Sequence, residues 1–374
     1  MKPCYCNDLD IVAGISFCLT REKIDAKYSF SPETFHVIEI IDWRSLGFNI
    51  DNGDYIVLKI EKKNIDTFTV ADVVSKTLGV PRSNIIYLGL KDKRSYSVQY
   101  FFLKKYLVRR DLKIGSVLIE QDNLVAIVHG FVRRKPRKEH LLGNMFRVLI
   151  SDYNKNHHKA RSIIDKICIH GLPSYYGYQR FGVTRPNTHY VGKMLLLGEY
   201  VDALHEFVEG AYLSESIESL KSRKYKVFPY SMRYEFQVFK RSMSSVYHSW
   251  MSLDSRLFNL FIESYQSYLF NRMLSKIFLL KRNVANKVNE VCVPGMDCLD
   301  PFDIVTEVLL DEGIDYNVFS ARRIRGWRRS ILFRPRDVRF ERHGTDFYLV
   351  FRLEKGFFAS IVLRELFKEN LELK

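Results

Sequence analysis

The alternation of apolar and polar residues divides this chain into a strand-rich first part, a helical middle and a strand-like return. Residues 34–40, TFHVIEI, alternate with a period of two, which predicts a half-buried strand with Phe35, Val37 and Glu39 on one face. An acid on that face is either a buried, paired carboxylate or a strand-end Glu reaching solvent. Residues 55–60 read as a second strand. Asp66 and Thr67 then offer N-caps to a helix with Val70, Val73, Val74 and Leu78 at helical spacing, which Gly79 ends and Pro81 cannot continue. The apolar run Ile85, Ile86, Tyr87 and Leu88 predicts a buried strand that breaks at Gly89. Further strands follow at 99–108 and 142–150. Residues 160–170 predict an amphipathic helix with Ile163, Ile164, Ile167 and Cys168 on one side and Gly171 as its stop. From 188 to about 285 the spacing is helical, clearest over 194–208 and 257–280, and residues 346–353 return to a strand. There is no internal repeat and no low-complexity linker.

Length and charge narrow the picture. The 374 residues are enough for two domains, each with its own core. A formal net charge of +15 implies a polyanionic partner, nucleic acid first and an anionic membrane surface second. No apolar run approaches the roughly 20 residues that span a bilayer. The opening MKPCYCNDLD has acids where a signal peptide needs an apolar core, so an intracellular protein is expected. The six cysteines lack zinc-ligand spacing and are expected to be reduced and mostly buried; His157 and His158 are adjacent and make a poor metal pair. No metal is expected. Basic residues concentrate at 131–140, with Arg133, Arg134, Lys135, Arg137 and Lys138. They concentrate again at 322–339, which holds eight arginines including Arg328 and Arg329. Charge runs are usually solvated loops, but in a chain this basic Arg133, Arg134, Lys135, Arg328 and Arg329 are candidate phosphate contacts.

The stretch with most chemistry follows Gly89. Lys91, Asp92, Lys93 and Arg94 surround one carboxylate with three cations at a strand end, a setting that favours the ionised acid beside an anionic substrate. Residues 89–99, GLKDKRSYSVQ, resemble the signature of TruD-type tRNA pseudouridine synthases, in which a Gly-x-Lys-Asp turn presents the catalytic aspartate and a Gln follows seven residues later. Here these are Gly89, Lys91, Asp92 and Gln99. Ser95 and Ser97 stand where the family more often has Ala and Thr. Residues 173–182, PSYYGYQRFG, and 356–365, GFFASIVLRE, resemble two further family blocks in the family's order. Residues 31–39, SPETFHVIE, resemble its first motif through Phe35 and Glu39. The family's basic residue six positions before that Phe is Ser29 here, with Lys27 the nearest base. Residues 62–67 (KKNIDT), 142–150, 265–274 (YQSYLFNRML) and the turn at Pro294 and Gly295 are also family-like.

The resemblance implies an α+β fold. A pseudouridine synthase catalytic domain of residues 1–187 and 332–374 would surround a mixed, largely antiparallel sheet, and residues 188–331 would form an inserted, mostly helical α+β accessory domain. It implies isomerisation of a tRNA uridine, usually at position 13, with Asp92 as the catalytic carboxylate. Substrate contacts would come from Lys27, Phe35, Glu39, Lys91, Gln99, Ser174, Tyr176, Gln179, Arg180, Phe358 and Arg364, with Tyr176 stacking on the base and Phe358 beside it. Ser174 stands where the family has Asn, and a hydroxyl does not reproduce an amide's paired donor and acceptor. The isomerisation breaks and remakes a bond from ribose to base without net oxidation or hydrolysis, so no cofactor is expected. The expected partner is tRNA in the cytoplasm, with no membrane and no obligate protein partner. A non-catalytic RNA-binding protein of the same fold is the alternative. A metal-dependent nuclease is disfavoured, because it needs clustered acids and Asp92 has none nearby in sequence.

Overall fold

Ten strands form one mixed sheet in the computed structural model, which describes residues 3–91, 93–212, 232–253, 255–280 and 289–372 together with Glu218 and Lys221. In chain order the strands are β1 (Phe35–Ile41), β2 (Phe48–Asn49), β3 (Tyr55–Lys63), β4 (Ile86–Tyr87), β5 (Tyr96–Lys104), β6 (Val117–Gln121), β7 (Leu124–Val132), β8 (Leu141–Ile150), β9 (Arg336–His343) and β10 (Asp346–Glu354). Across the sheet they lie in the order β9-β10-β8-β1-β5-β3-β7-β2, with β4 added to β5 and β6 to β7. Only the β1–β5 pair is parallel; the others are antiparallel. The sheet is therefore mixed and largely antiparallel, as expected. The alternation in β1 follows its burial, with Phe35, Val37, Glu39 and Ile41 buried and the residues between them half-buried.

The parallel pair is also where the sheet splits. β1 pairs with β8 along its whole length, and β3 does the same with β5. β1 and β5, however, are in register only from His36–Tyr96 to Ile38–Val98. Beyond that point β4 lies against Phe101 and Phe102 of β5. The chain leaving β4 thus enters a gap between two central strands.

Helices cover one face on either side of this gap. Helix α1 (Thr67–Leu78) begins where Asp66 accepts from the amides of Phe68 and Thr69 and ends at Gly79 with φ +65°. It buries Val70, Ala71 and Val74 against Ile56, Leu58, Ile60, Phe101 and Leu103. Helices α2 (Tyr153–His170) and α6 (Ala359–Phe367) pack on Phe35, Val37, Phe146, Val148 and Leu349. The predicted helix at 194–208 is two, α3 (Thr188–Leu197) and α4 (Tyr200–Glu209), because Gly198 takes a left-handed conformation with φ +85° between them. Helix α5 (Ser255–Leu279) crosses behind the 173–182 block, and short strands pair Leu172–Pro173 with Leu332–Phe333. The rest of the predicted helical stretch, residues 213–231, 254 and 281–288 apart from Glu218 and Lys221, lies outside the described residues. One apolar cluster runs from Ala13 through Tyr176, Val191, Phe261 and Met273 to Leu366, so the helical segment shares its core with the sheet's helical cover.

Four cysteines correct the sequence reading. Cys4–Cys18 and Cys292–Cys298 are disulfides, and only Cys6 and Cys168 are free. Zinc spacing is the wrong criterion here, because folding brings the Cα atoms of the pairs to 5.6 Å and 5.3 Å. Among the described residues, no helix is long and apolar enough to cross a membrane.

Candidate active site

The loop from Leu88 to Lys91 lodges in the split of the sheet, and side chains replace the backbone ladder that β1 and β5 cannot make there. The Glu39 carboxylate accepts from the Tyr100 amide at 3.0 Å through one oxygen and from the Lys91 ammonium at 2.7 Å through the other. Both side chains of this ion pair are buried, 4% exposed for Lys91 and 0% for Glu39. Removing either partner would strand a charge in the interior, at a cost of about 3–5 kcal/mol. Gln99 donates to the Gly89 carbonyl at 3.2 Å and accepts from the Thr67 hydroxyl at 3.1 Å, and the same hydroxyl accepts from the Lys91 amide at 3.0 Å. Lys62 reaches the carbonyls of Ile65 at 2.8 Å and Lys91 at 3.4 Å. A Cβ at Gly89 would sit 3.1 Å from both Leu141 and the Lys91 ammonium, so the close seat suits a glycine.

Leu141 also ties this loop to the third sequence block. Gly143 of β8 stands opposite Glu354 of β10, and the Lys355 amide donates to the Leu142 carbonyl at 3.1 Å. The chain from Gly356 to Phe358 therefore leaves the sheet at the end where Leu141 meets Gly89.

The second and third blocks interlock. A Cβ at Gly177 would lie 2.9 Å from the Phe358 Cβ and closer still to Ser360, and Ser360 donates to Gln179 at 3.1 Å. The rings of Tyr176 and Phe358 meet edge to face with centroids 5.9 Å apart, although nearly two hundred residues separate them. Asn271 of α5 holds Tyr176 by both backbone groups, accepting from its amide at 2.8 Å and donating to its carbonyl at 3.1 Å. The Tyr176 hydroxyl accepts from the Trp327 indole at 3.1 Å, and the Arg329 guanidinium lies 4.1 Å from its ring centroid. Burial pulls Arg329 down from the usual guanidinium range.

The predicted residues other than Asp92 now have places. Asp92 lies outside the described residues. Glu39, Lys91 and Gln99 meet around the loop as its internal frame, where they position it. Tyr176, Gln179 and Phe358 meet in the second cluster. Phe358 is half-buried, whereas Tyr176 is 6% exposed and closed in by Arg329, Phe270 and Phe358. Arg180 joins that cluster's rim, donating to Ser267 at 3.2 Å and Glu263 at 2.8 Å. Lys27 is exposed beside the short strand Tyr28–Ser29. Arg133, Arg134 and Lys135 are exposed, and no acid pairs with them among the described residues. Arg328 is exposed and pairs with Asp300 at 3.2 Å.

Four of the predicted contacts are engaged within the fold. Phe35 is 4% exposed, stacked on Phe146 and edge-on to Phe30. Ser174 is fully buried, its hydroxyl on the Ser330 carbonyl and its own carbonyl accepting from Arg329 at 2.8 and 3.0 Å. Arg329 is thereby engaged by protein rather than held out to phosphate. Arg364 is 1% exposed and binds Asp10 at 2.8 and 2.9 Å, together with the carbonyls of Phe17 and Cys4. Backbone carbonyls and a buried acid take up the polar groups of Ser174 and Arg364.

Sequence reasoning missed Lys62, Thr67 and Asn271. Asn271 left a signal: Ser264, Ser267, Asn271 and Ser275 recur three or four positions apart along α5, and all four are buried. Thr67 has the residue type of a helix cap, a role that Asp66 fills instead. Away from the cleft, Cys4, Cys6 and Cys18 bring their sulfurs together, two of them in the disulfide.

Known proteins resemble this chain. A family profile described as tRNA pseudouridine synthase D (TruD) matches residues 14–295 and 295–366. A chain of Archaeoglobus fulgidus named "Probable tRNA pseudouridine synthase D" is 28% identical over 401 residues, covering 91% of this chain and 94% of its own. A chain of the same name from Pyrococcus furiosus is 28% identical, covering 96% and 99%. The crystal structure of a putative TruD from Methanosarcina mazei superposes with a TM-score of 0.70 at 21% identity, covering 95% of this chain and 97% of that one.

Proposed function

The chain belongs to the TruD family of tRNA pseudouridine synthases, and on that premise we propose that it isomerises one tRNA uridine, by resemblance that at position 13, with Asp92 as the catalytic carboxylate. The observation that carries this reading is the framed loop: Glu39, Lys91, Gln99 and Thr67 fix the backbone on the amino side of Asp92 in the middle of the sheet. A reaction led by one carboxylate depends on where that group is held, and a preorganised loop meets that need. The uridine must leave its stack to reach it. Phe358, which is half-buried, would meet the base in place of Tyr176, the ring expected to stack on it, because Asn271, Trp327 and Arg329 hold Tyr176 largely buried beside it. The exposed cations at 133–135 would hold phosphates outside the cleft. Residues 1–187 and 332–374 would then form the catalytic part and residues 188–331 the inserted part. A cytoplasmic location belongs to the same reading.

The test is to map pseudouridine in tRNA incubated with the protein, with and without EDTA, and to repeat it with Asp92→Asn. The expected result is one modified uridine, insensitive to EDTA, and none with Asp92→Asn while tRNA binding persists. Appreciable turnover by Asp92→Asn would remove Asp92 from the reaction. Binding without turnover by the unaltered protein would favour the non-catalytic RNA-binding alternative.

A further inference from the structure

The sulfurs of Cys4, Cys6 and Cys18 meet away from the cleft, and the functional reading gives them no role. Cys4 and Cys6 stand two apart before the short helix Asp8–Val12, and residues two apart in an extended segment face the same way. The chain bends at Cys6, whose amide donates to the Asp10 carboxylate at 2.6 Å, and both sulfurs come to Cys18. The three sulfurs lie within 4.8 Å of one another, with those of Cys6 and Cys18 3.7 Å apart. Two thiolates each about 2.3 Å from one tetrahedral zinc ion stand about 3.8 Å apart, so this separation suits a shared ion. The surroundings orient the sulfurs. Arg364 donates to the Cys18 sulfur at 3.6 Å and to the Cys4 carbonyl at 2.9 Å, and the Cys4 amide donates to the Ser16 carbonyl at 3.0 Å. Outer contacts of this kind hold the ligands of metal sites in place. The charged side chains nearby are already matched, Arg364 with Asp10 and Lys368 with Glu365. A cluster of thiolates there needs a cation of its own.

We propose that, once the Cys4–Cys18 disulfide is reduced, Cys4, Cys6 and Cys18 bind one zinc ion as three thiolates. Cys4 and Cys6 are buried and Cys18 is half-buried, so a water ligand would complete the site from the side of Cys18. A dithiol reductant gives two electrons and two protons to the Cys4–Cys18 bond and itself becomes a disulfide; zinc then displaces the protons of the three thiols. Soft thiolates suit zinc, and disulfides are rare in the reducing compartment where the cytoplasmic reading puts the chain. The ion would take over the disulfide's task of closing the segment 4–18 over Arg364. Asp10, which Arg364 binds, also accepts from the Tyr178 hydroxyl at 2.6 Å. The clasp thereby supports both the 173–182 and the 356–365 blocks. The plain alternative is a permanent disulfide with Cys6 as a buried thiol beside it.

The experiment reduces the full chain with a phosphine in the absence of air, adds zinc or cobalt(II), desalts, and measures bound metal beside an oxidised sample. One zinc ion per reduced chain and none in the oxidised chain is the expected result, with a sulfur-to-cobalt charge-transfer band in the cobalt form. Alkylation mapped by mass spectrometry should show zinc protecting Cys4, Cys6 and Cys18 together, while Cys168 reacts alike with and without the metal. Cys6→Ser spares the disulfide, so its oxidised form should melt close to the unaltered protein while its reduced form no longer retains zinc. Cys6→Ala is read in the same way if Cys6→Ser does not fold. Replacing Cys292 and Cys298 by Ser removes the other reducible pair and should leave the zinc bound. A reduced chain that retains no zinc, a Cys6→Ser chain that retains it as the unaltered chain does, or protection confined to Cys292 and Cys298 overturns the proposal. None of these readouts involves tRNA, so the zinc site and the isomerase reading fail separately.

Discussion

The loop at 133–138 and the segment at 322–339 have similar charge and use it in opposite ways. The first follows the end of β7, where the Arg133 and Arg134 amides both donate to the Leu46 carbonyl, while Arg133, Arg134, Lys135, Arg137 and Lys138 are exposed. In the second, guanidinium groups fasten one part of the chain to another. Arg322 donates to the Leu196 carbonyl at 3.1 Å, Arg334 to the carbonyls of Ile169 and His170 at 3.3 Å, and Arg329 to that of Ser174. Arg328, Arg336 and Arg339 pair with Asp300, Glu354 and Glu341. A guanidinium can clamp a carbonyl or a phosphate with the same donors. What decides is whether the fold supplies an acceptor first. By that criterion the 133–138 loop would be the better phosphate site, whereas the 322–339 segment is mostly a set of internal fasteners.

Substitutions test this contrast, beginning with the one expected to matter most. Arg329→Ala removes two charge-assisted hydrogen bonds from the Ser174 carbonyl and uncovers Tyr176, so it should destabilise the protein by about 3 kcal/mol in denaturant unfolding. Arg329→Lys should recover little of this, since Lys lacks the planar fork. An Arg329→Ala protein of normal stability but weakened tRNA binding would return Arg329 to the phosphate-binding residues. The double reversal of Arg133 and Arg134 to Glu should leave stability nearly unchanged. It should lower the slope of log affinity against log salt by about 1.8 if both arginines meet duplex phosphates, about 0.9 for each. A slope that does not change places the RNA elsewhere.

Acid sensitivity from these stretches should be small: their guanidinium groups stay charged, and the acids they pair with, such as Glu341, which Arg339 holds below the usual carboxylate range, are solvent-accessible. His189 is the stronger source. It is fully buried among Phe181, Tyr190 and Tyr268, and burial pushes its imidazole from 6.5 down to about 3. Between those values the unfolded chain binds a proton that the folded chain refuses, so stability rises with pH. This contribution is complete above about pH 6.5 and is lost as the pH falls toward 3, at up to about 1.4 kcal/mol per pH unit. His189→Phe should flatten the fall in melting stability between pH 6.5 and 4. The smallest effect is expected from Arg328→Ala. Its exposed ion pair is worth less than about 1 kcal/mol, and the salt slope should fall by no more than the share of a single phosphate. A larger stability loss there than in Arg329→Ala would reverse the contrast between fasteners and phosphate-binding residues.

Local chemistry was readable without coordinates because it depends on near neighbours. The period-two alternation of β1, the Asp66 cap and Gly79 stop of α1, the break at Gly89 and the family blocks are all properties of adjacent residues, and each is where the sequence puts it. Even the choice left open at Glu39 was a local one, between a buried pair and a solvent-reaching end. Tertiary structure settled it, because Lys91 reaches Glu39 only where β1 and β5 part and the loop enters the gap. The same holds for Ser174 and Arg364, whose residue types suited a ligand until Arg329 and Asp10 were brought against them. It holds for the cysteines, which spacing could not pair, and for Tyr176, whose ring is covered by an arginine about 150 residues away. A side chain's type sets which bonds it can make, and that is written locally. Which partner reaches it first depends on strand register and helix packing across the whole chain, and in the buried interior an unmet polar group is too costly to leave for a ligand to satisfy.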